Sequence, residues 1–209
     1  MRRYVVALAV AVVLVAVVRS LVVQSFVVPT GSMSPTVRPG DRVVVSRWSH
    51  VFGDVRRGDV VVFDGAGVFG PAAARSSSPL AQAGRGAAAL LGVPVGEQDY
   101  VKRVVGLPGE RVACCDPAGR VTVDGKPLVE PYLAGSGPAS ATPFDVVVPP
   151  GRLWVMGDDR ADSADSRSHR GDPGGGTVPV ERVVGRVVGV YWPVGRVGGL
   201  KSQQAEGTP

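Results

Sequence analysis

Three groups of residues in this chain have types and spacing suited to chemistry: a serine in a turn, a lysine inside an apolar run, and a loop dense in aspartate and arginine. Ser32 lies in Phe26-Val27-Val28-Pro29-Thr30-Gly31-Ser32-Met33-Ser34-Pro35-Thr36. An apolar strand runs into Pro29, the Thr-Gly pair bends the backbone, and Pro35 stiffens the exit, so the serine is presented on a turn. Its hydroxyl is a poor nucleophile until a base takes the proton. Lys102 sits in Asp99-Tyr100-Val101-Lys102-Arg103-Val104-Val105. Strand alternation places Tyr100, Lys102 and Val104 on one face and Val101, Arg103 and Val105 on the other, so one of two neighbouring cations faces inward or over a cleft. An amine with its ordinary pKa near ~10.4 is protonated at neutral pH. An apolar wall penalises the charged form and frees the amine to accept a proton. Each residue also has a plain structural reading, as a turn hydroxyl and as an edge-strand lysine that discourages aggregation.

The third group runs from Gly157 to Arg167 and holds Asp158, Asp159, Asp162 and Asp165. A calcium loop wants glycine at its sixth position and glutamate at its twelfth, where this chain has Ser163 and His169. Arg160 and Arg167 are interleaved and supply partners, so the loop reads as salt-bridged, with no metal and no cofactor expected. His50 and His169 are the two histidines and read as solvated surface rings. A Ser/His/Asp hydrolase using one of them is the weaker enzymatic alternative. Cys114 and Cys115 are adjacent and read as a structural or free pair, because a bridge between neighbours closes almost no loop.

These residues need a scaffold, and composition points to strands. The 209-residue chain is 44% hydrophobic, with valine prominent, 29 glycines and 18 prolines. It lacks long helical stripes, so a mainly β protein is expected. Short valine-rich runs between turn residues predict strands over 41–47, 58–63, 99–105, 144–148 and 183–192, with two or three short strands within 111–150, a hairpin turn at Asp124-Gly125, and 152–156 leading into the acidic loop. The run 183–192 is read as the last strand, and its glycines suggest a bulge or close backbone approach. Residues 65–98 form a flexible insertion rich in Gly, Ala, Ser and Pro, with a short helix expected near 87–91. The net charge of +5 and pI of about 9.7 suit an anionic lipid surface. No aromatic-interleaved basic run or zinc spacing supports nucleic acid as a partner. Residues 4–23 are apolar apart from Arg19 and Ser20, follow Arg2 and Arg3, and would rise about 30 Å as a helix, enough to cross a bilayer. The arginines would keep the start cytoplasmic and send the rest to the other side. A cleaved secretory signal is the competing reading.

Four separated segments resemble the boxes of bacterial type I signal peptidases (leader peptidases), in the family's order. They are Pro29 to Thr36, Arg57 to Phe63, Tyr100 to Glu110, and Val155 to Arg160 continuing through Ser163 to Arg167. The resemblance implies an antiparallel β-sheet catalytic core of the signal peptidase type over 26–110 and 151–200, with a small β cap over 111–150. It also implies an N-terminal transmembrane anchor over 1–25, leaving 201–209 as a polar tail. The implied activity is removal of signal peptides from secreted preproteins, after Ala-x-Ala, on the outer face of the cytoplasmic membrane. By the same matching Ser32 is the nucleophile, Lys102 the general base, and the Ser32 amide with the Thr30 hydroxyl the oxyanion hole. Ser163 would orient the amine, and Asp158, Arg103, Asp165 and Arg167 would support the site. Phe26, Val28, Met33, Val37, Val43, Tyr100 and Val101 would line subsites for small side chains. The family usually reads Asp-Asn where Ala161 and Asp162 stand, and often has asparagine at Asp159, which bears on the geometry of the loop. The rival reading from another class is a catalytically silent membrane-anchored β module that binds exported chains.

Overall fold

Short valine runs favour extended backbone because β-branched side chains pack well on a pleated surface. The computed structural model describes residues 3–4, 23–47, 55–70, 98–135 and 137–200, and within them these runs become strands. In chain order they are β1 (Val23–Val27), β2 (Arg42–Ser46), β3 (Val60–Asp64), β4 (Asp99–Gly106), β5 (Arg111–Cys114) and β6 (Val121–Val123). There follow β7 (Lys126–Pro127), β8 (Phe144–Val147), β9 (Arg152–Met156), β10 (Val178–Pro179), β11 (Val183–Trp192) and β12 (Gly198–Gly199). The larger sheet runs β1-β2-β11-β3-β4-β9-β10 with β12 paired to β11, and the smaller runs β7-β6-β5-β8. All pairings between these strands are antiparallel.

Several details differ from the sequence reading. β1 starts at Val23, so the residues closing the expected anchor are already in register with β2, Val23 opposite Ser46. β11 is not the last strand, because β12 returns to pair with it. The pairing of β11 shifts register at Gly185 and again at Gly189. A Cβ at Gly185 would lie 2.6 Å from Ser46 O, and one at Gly189 2.6 Å from Gly198 O, so both glycines permit close backbone approach. Asp124 and Gly125 have φ of 50° and 78°, the left-handed pair that a two-residue hairpin turn requires. The insertion is packed at its root: Phe69 is buried and its ring lies 5.2 Å from Phe63 and 5.5 Å from Tyr100. The expected anchor helix, the helix near 87–91, His50 and the tail lie outside the described residues. Among the described residues no helix is long and apolar enough to cross a membrane.

Three apolar clusters hold the sheets. One joins the smaller sheet to β9 and the end of β4 through Trp154, Met156, Phe144 and Val105. A second lies between β1, β2, β3, β11 and the segment after β1. The third packs Phe63, Phe69, Val104 and Val155 on the other side of β3 and β4. β4 is therefore covered on both faces, which decides the environment of its two cations.

Candidate active site

The Ser32 turn is built from both sides. Val28 N–H donates to Asp41 O at 2.9 Å and Gly40 N–H donates to Val28 O at 2.8 Å, fastening the ends of the segment together. Inside it, Ser34 N–H donates to Gly31 O at 2.8 Å and Val37 N–H to Met33 O at 2.9 Å. Met33 and Val37 are fully buried and pin the turn to the second cluster. Ser32 is left 8% exposed, with Thr30 Oγ1 3.3 Å from its own Oγ.

Lys102 comes from the middle of β4, opposite Val61 of β3, and is 4% exposed. Its Nζ donates to Ser32 Oγ at 2.7 Å. Burial pulls its pKa from the ordinary 10.5 down to about 8. Asp165 and Asp158 oppose that fall, and Arg167 adds slightly to it. An amine with a pKa near 8 can both release and accept a proton close to neutral pH.

Alternation assigns an inward face to only one of Lys102 and Arg103, yet both are buried. Arg103 is neutralised where it lies. Its Nε and Nη2 donate to the two oxygens of Asp158 at 2.7 and 2.6 Å, its Nη1 donates to Gly58 O at 2.8 Å, and its Cζ lies 3.8 Å from the centre of the Tyr132 ring. Thr36 Oγ1 donates to Asp158 Oδ2 at 2.6 Å, tying the Ser32 turn to the same carboxylate.

The second carboxylate is Asp165, fully buried. Burial opposes its ionisation, but hydrogen bonds from Arg167 and from the Gly157 N–H hold its pKa below the usual carboxylate range. The Ser163 hydroxyl is buried without a well-formed hydrogen bond, although it lies near enough to Asp165 to help stabilise the carboxylate. Gly157 separates Ser163 from the turn, since a Cβ there would overlap both Ser163 Oγ and Ser32 O. Asp159 N–H donates to Ser32 O at 3.2 Å.

Phe26, Val28, Met33, Val37, Val43 and Val101 meet in the second cluster. Tyr100 is placed apart from them, its ring stacked 5.7 Å from Phe63, its partner across β3 and β4. His169 is not a solvated ring: it stacks on Phe69 at 4.3 Å and its Nδ1 is 2.7 Å from Asp172 Oδ2. Cys114 and Cys115 are joined in a disulfide at the end of β5, in the smaller sheet. Arg160 pairs outside its own loop, with Glu130. Thr36, Glu130, Tyr132 and Gly157 belong to the surroundings of the site without having been singled out. Thr36 lay within a recognised motif, whereas Glu130 and Tyr132 sit in a connection with no periodic signal.

Residues 1–192 match the model of the family described as Signal peptidase, peptidase S26. The chain belongs to that family. It is 38% identical to signal peptidase I of Mycobacterium tuberculosis (strain CDC 1551 / Oshkosh), over 97% of this chain and 76% of that protein. It is 32% identical to signal peptidase I of Bacillus caldolyticus, over 88% of this chain and 87% of that one. A solved signal peptidase I from Enterococcus faecalis superposes with a TM-score of 0.39 at 22% identity, over 64% of this chain and 96% of that one. Membership in the signal peptidase family makes this protein a serine endopeptidase, a hydrolase acting on precursors that carry signal peptides.

Proposed function

We propose that this protein removes signal peptides from secreted preproteins after Ala-x-Ala, with Ser32 as nucleophile and Lys102 as general base. The observation that carries the reading is the 2.7 Å contact between a buried amine and the serine hydroxyl. With the amine neutral, the hydrogen bond reverses: Ser32 Oγ donates its proton to Nζ as it attacks the scissile carbonyl carbon. The resulting oxyanion is received by the Ser32 N–H and the Thr30 hydroxyl. Collapse breaks the C–N bond, Lys102 returns the proton to the departing amine, and the signal peptide is held as an ester on Ser32. Lys102 then takes a proton from water as the water oxygen attacks the ester carbon, and returns it to Ser32 Oγ as the C–O bond breaks and the signal peptide leaves with a free carboxylate. Asp158, Asp165, Arg103 and Arg167 hold the amine's surroundings, with Ser163 beside them.

β9 pairs with β4 only from Arg103 onward, so the edge of β4 at residues 100–102 is placed to receive an extended substrate as an added strand. The cluster of Phe26, Val28, Met33, Val37, Val43 and Val101 would accept small side chains before the scissile bond and clash with large ones. The apolar segment ahead of β1, from residue 4, anchors the enzyme in the cytoplasmic membrane with the catalytic sheets outside. The test is cleavage of a preprotein by the purified protein in detergent. Ser32→Ala and Lys102→Ala are each expected to abolish it, and full retention in either would refute the dyad. A silent binding module would show affinity for the signal peptide with no turnover in the unaltered chain.

A further inference from the structure

The connection from β7 to β8 carries two buried side chains that the reaction above does not use, Glu130 and Tyr132. Glu130 is 3% exposed and is the shared acceptor of one network. Its Oε1 accepts from Arg160 Nη2 at 2.5 Å and from Tyr132 Oη at 2.8 Å, and its Oε2 accepts from Arg160 Nη1 at 3.2 Å. Arg160 in turn donates from Nε to Gly157 O at 3.0 Å, and its own carbonyl accepts from Arg167 Nη2 at 2.9 Å. Tyr132 lies under Arg103, which holds Asp158. Ala134 N–H donates to Asp158 O at 3.1 Å, adding a main-chain tie from the same connection.

We propose that Glu130 is a positioning residue for the Ser32–Lys102 pair: by fixing Arg160 and Tyr132 it sets Gly157 against the nucleophile turn and the two aspartates around the amine. The proposal rests on the dyad reading of the site. The physical case is one of charge and geometry. Asp158, Asp165 and Arg167 face Lys102 from the loop after β9, Ser32 faces it from the turn, and Arg103 neighbours it on β4. Three guanidinium groups, the buried Arg103 and Arg160 and the partly buried Arg167, meet three carboxylates, Asp158, Glu130 and Asp165. If Glu130 loses its charge, Arg160 remains buried and unbalanced one residue from Asp159 and two from Asp158. Such a cation draws on the remaining carboxylates. That pull loosens the loop behind Ser32 and weakens the hold of Asp158 and Asp165 on the protonated amine.

The test compares Glu130→Gln with the unaltered protein by two readouts. Steady-state cleavage of a preprotein is expected to show kcat lowered about tenfold to a hundredfold with KM changed less than about twofold, the pattern of a misplaced reacting group rather than lost substrate binding. The second readout needs no substrate. The chain has three lysines, Lys102, Lys126 and Lys201, so ¹³C labelling of lysine side chains gives a spectrum in which Lys102 is assigned by its disappearance in Lys102→Met. In Glu130→Gln the Lys102 signal is expected to titrate at lower pH, and the acid limb of kcat/KM to move with it. Glu130→Asp keeps the charge but shortens the reach, and is expected to act in the same direction with a smaller effect. A folded Glu130→Gln with unchanged kcat and an unmoved Lys102 titration would overturn the proposal, as would a loss confined to KM or to the folded fraction. If Glu130→Gln does not fold, Glu130→Asp decides by the same criteria. If the unaltered protein cleaves no preprotein, the dyad reading fails, and the Lys102 titration still decides the role of Glu130.

Discussion

Lys102 is held where its charged form is least welcome. Moving a pKa from 10.5 to about 8 corresponds to about 3 kcal/mol against folding at neutral pH. The sign follows from proton binding. Below about 8 both folded and unfolded states are protonated and the cost is present in full. Between about 8 and 10.5 the unfolded chain binds the extra proton, so stability rises with pH, and above 10.5 the cost is gone. Lys102→Met is therefore expected to raise the unfolding free energy at pH 7 by up to about 3 kcal/mol, the gain shrinking across that window, as measured by denaturant titration at several pH values. Residue types singled out both candidates, because a lysine in a valine run and a serine between two prolines are each out of place, but each kept a plain structural reading until the motif resemblance joined them. Their proximity was not legible: Ser32 and Lys102 are 70 positions apart in the chain, and only sheet pairing brings them together.

The elements show the same division. Runs of β-branched residues flanked by turn residues gave β2, β4, β8 and β11 to within a residue or so of their ends. Of β1 only the end was read, as the apolar strand running into Pro29, because Gln24 and Ser25 break its apolar pattern and it follows directly on the apolar N-terminal segment. β12 is two glycines and has no propensity of its own; it exists because β11 offers it an edge. The burial of Arg103 was equally hidden, since alternation cannot reveal that β4 is covered on both faces. The loop after β9 depends on close approach at Gly157. Gly157→Ala would drive a methyl group into Ser32 O and Ser163 Oγ, so the nucleophile turn must shift. The expected result is a loss of kcat of about a hundredfold in a protein that still folds, checked by steady-state cleavage alongside thermal unfolding.

At the scale of the whole molecule, two sheets share one site. The larger sheet supplies Ser32, from the segment joining β1 to β2, and Lys102 and Arg103 from β4. The smaller sheet sends Glu130, Tyr132 and Ala134 back across the loop that carries Asp158 and Arg160. Part of this was foreseeable: the motif segments contain most of β3, β4 and the loop after β9, which lie together in the larger sheet and beside it. The clamp from the smaller sheet was not, because a glutamate in Val-Glu-Pro-Tyr-Leu looks like any surface connection until its arginine, 30 positions later, is folded against it. The Phe69–His169 stack likewise ties the root of the insertion to the segment just past the acidic loop, a contact that no local pattern announces.

The central claim is that an uncharged Lys102 draws the proton from Ser32, and the pH profile of kcat/KM for preprotein cleavage tests it most directly, because its acid limb reports the base in the free enzyme. The account predicts a limb at about 8, unchanged when His50 and His169 are both replaced. A limb that follows the histidines, or a kcat/KM that stays at its plateau well below neutral pH, would contradict it.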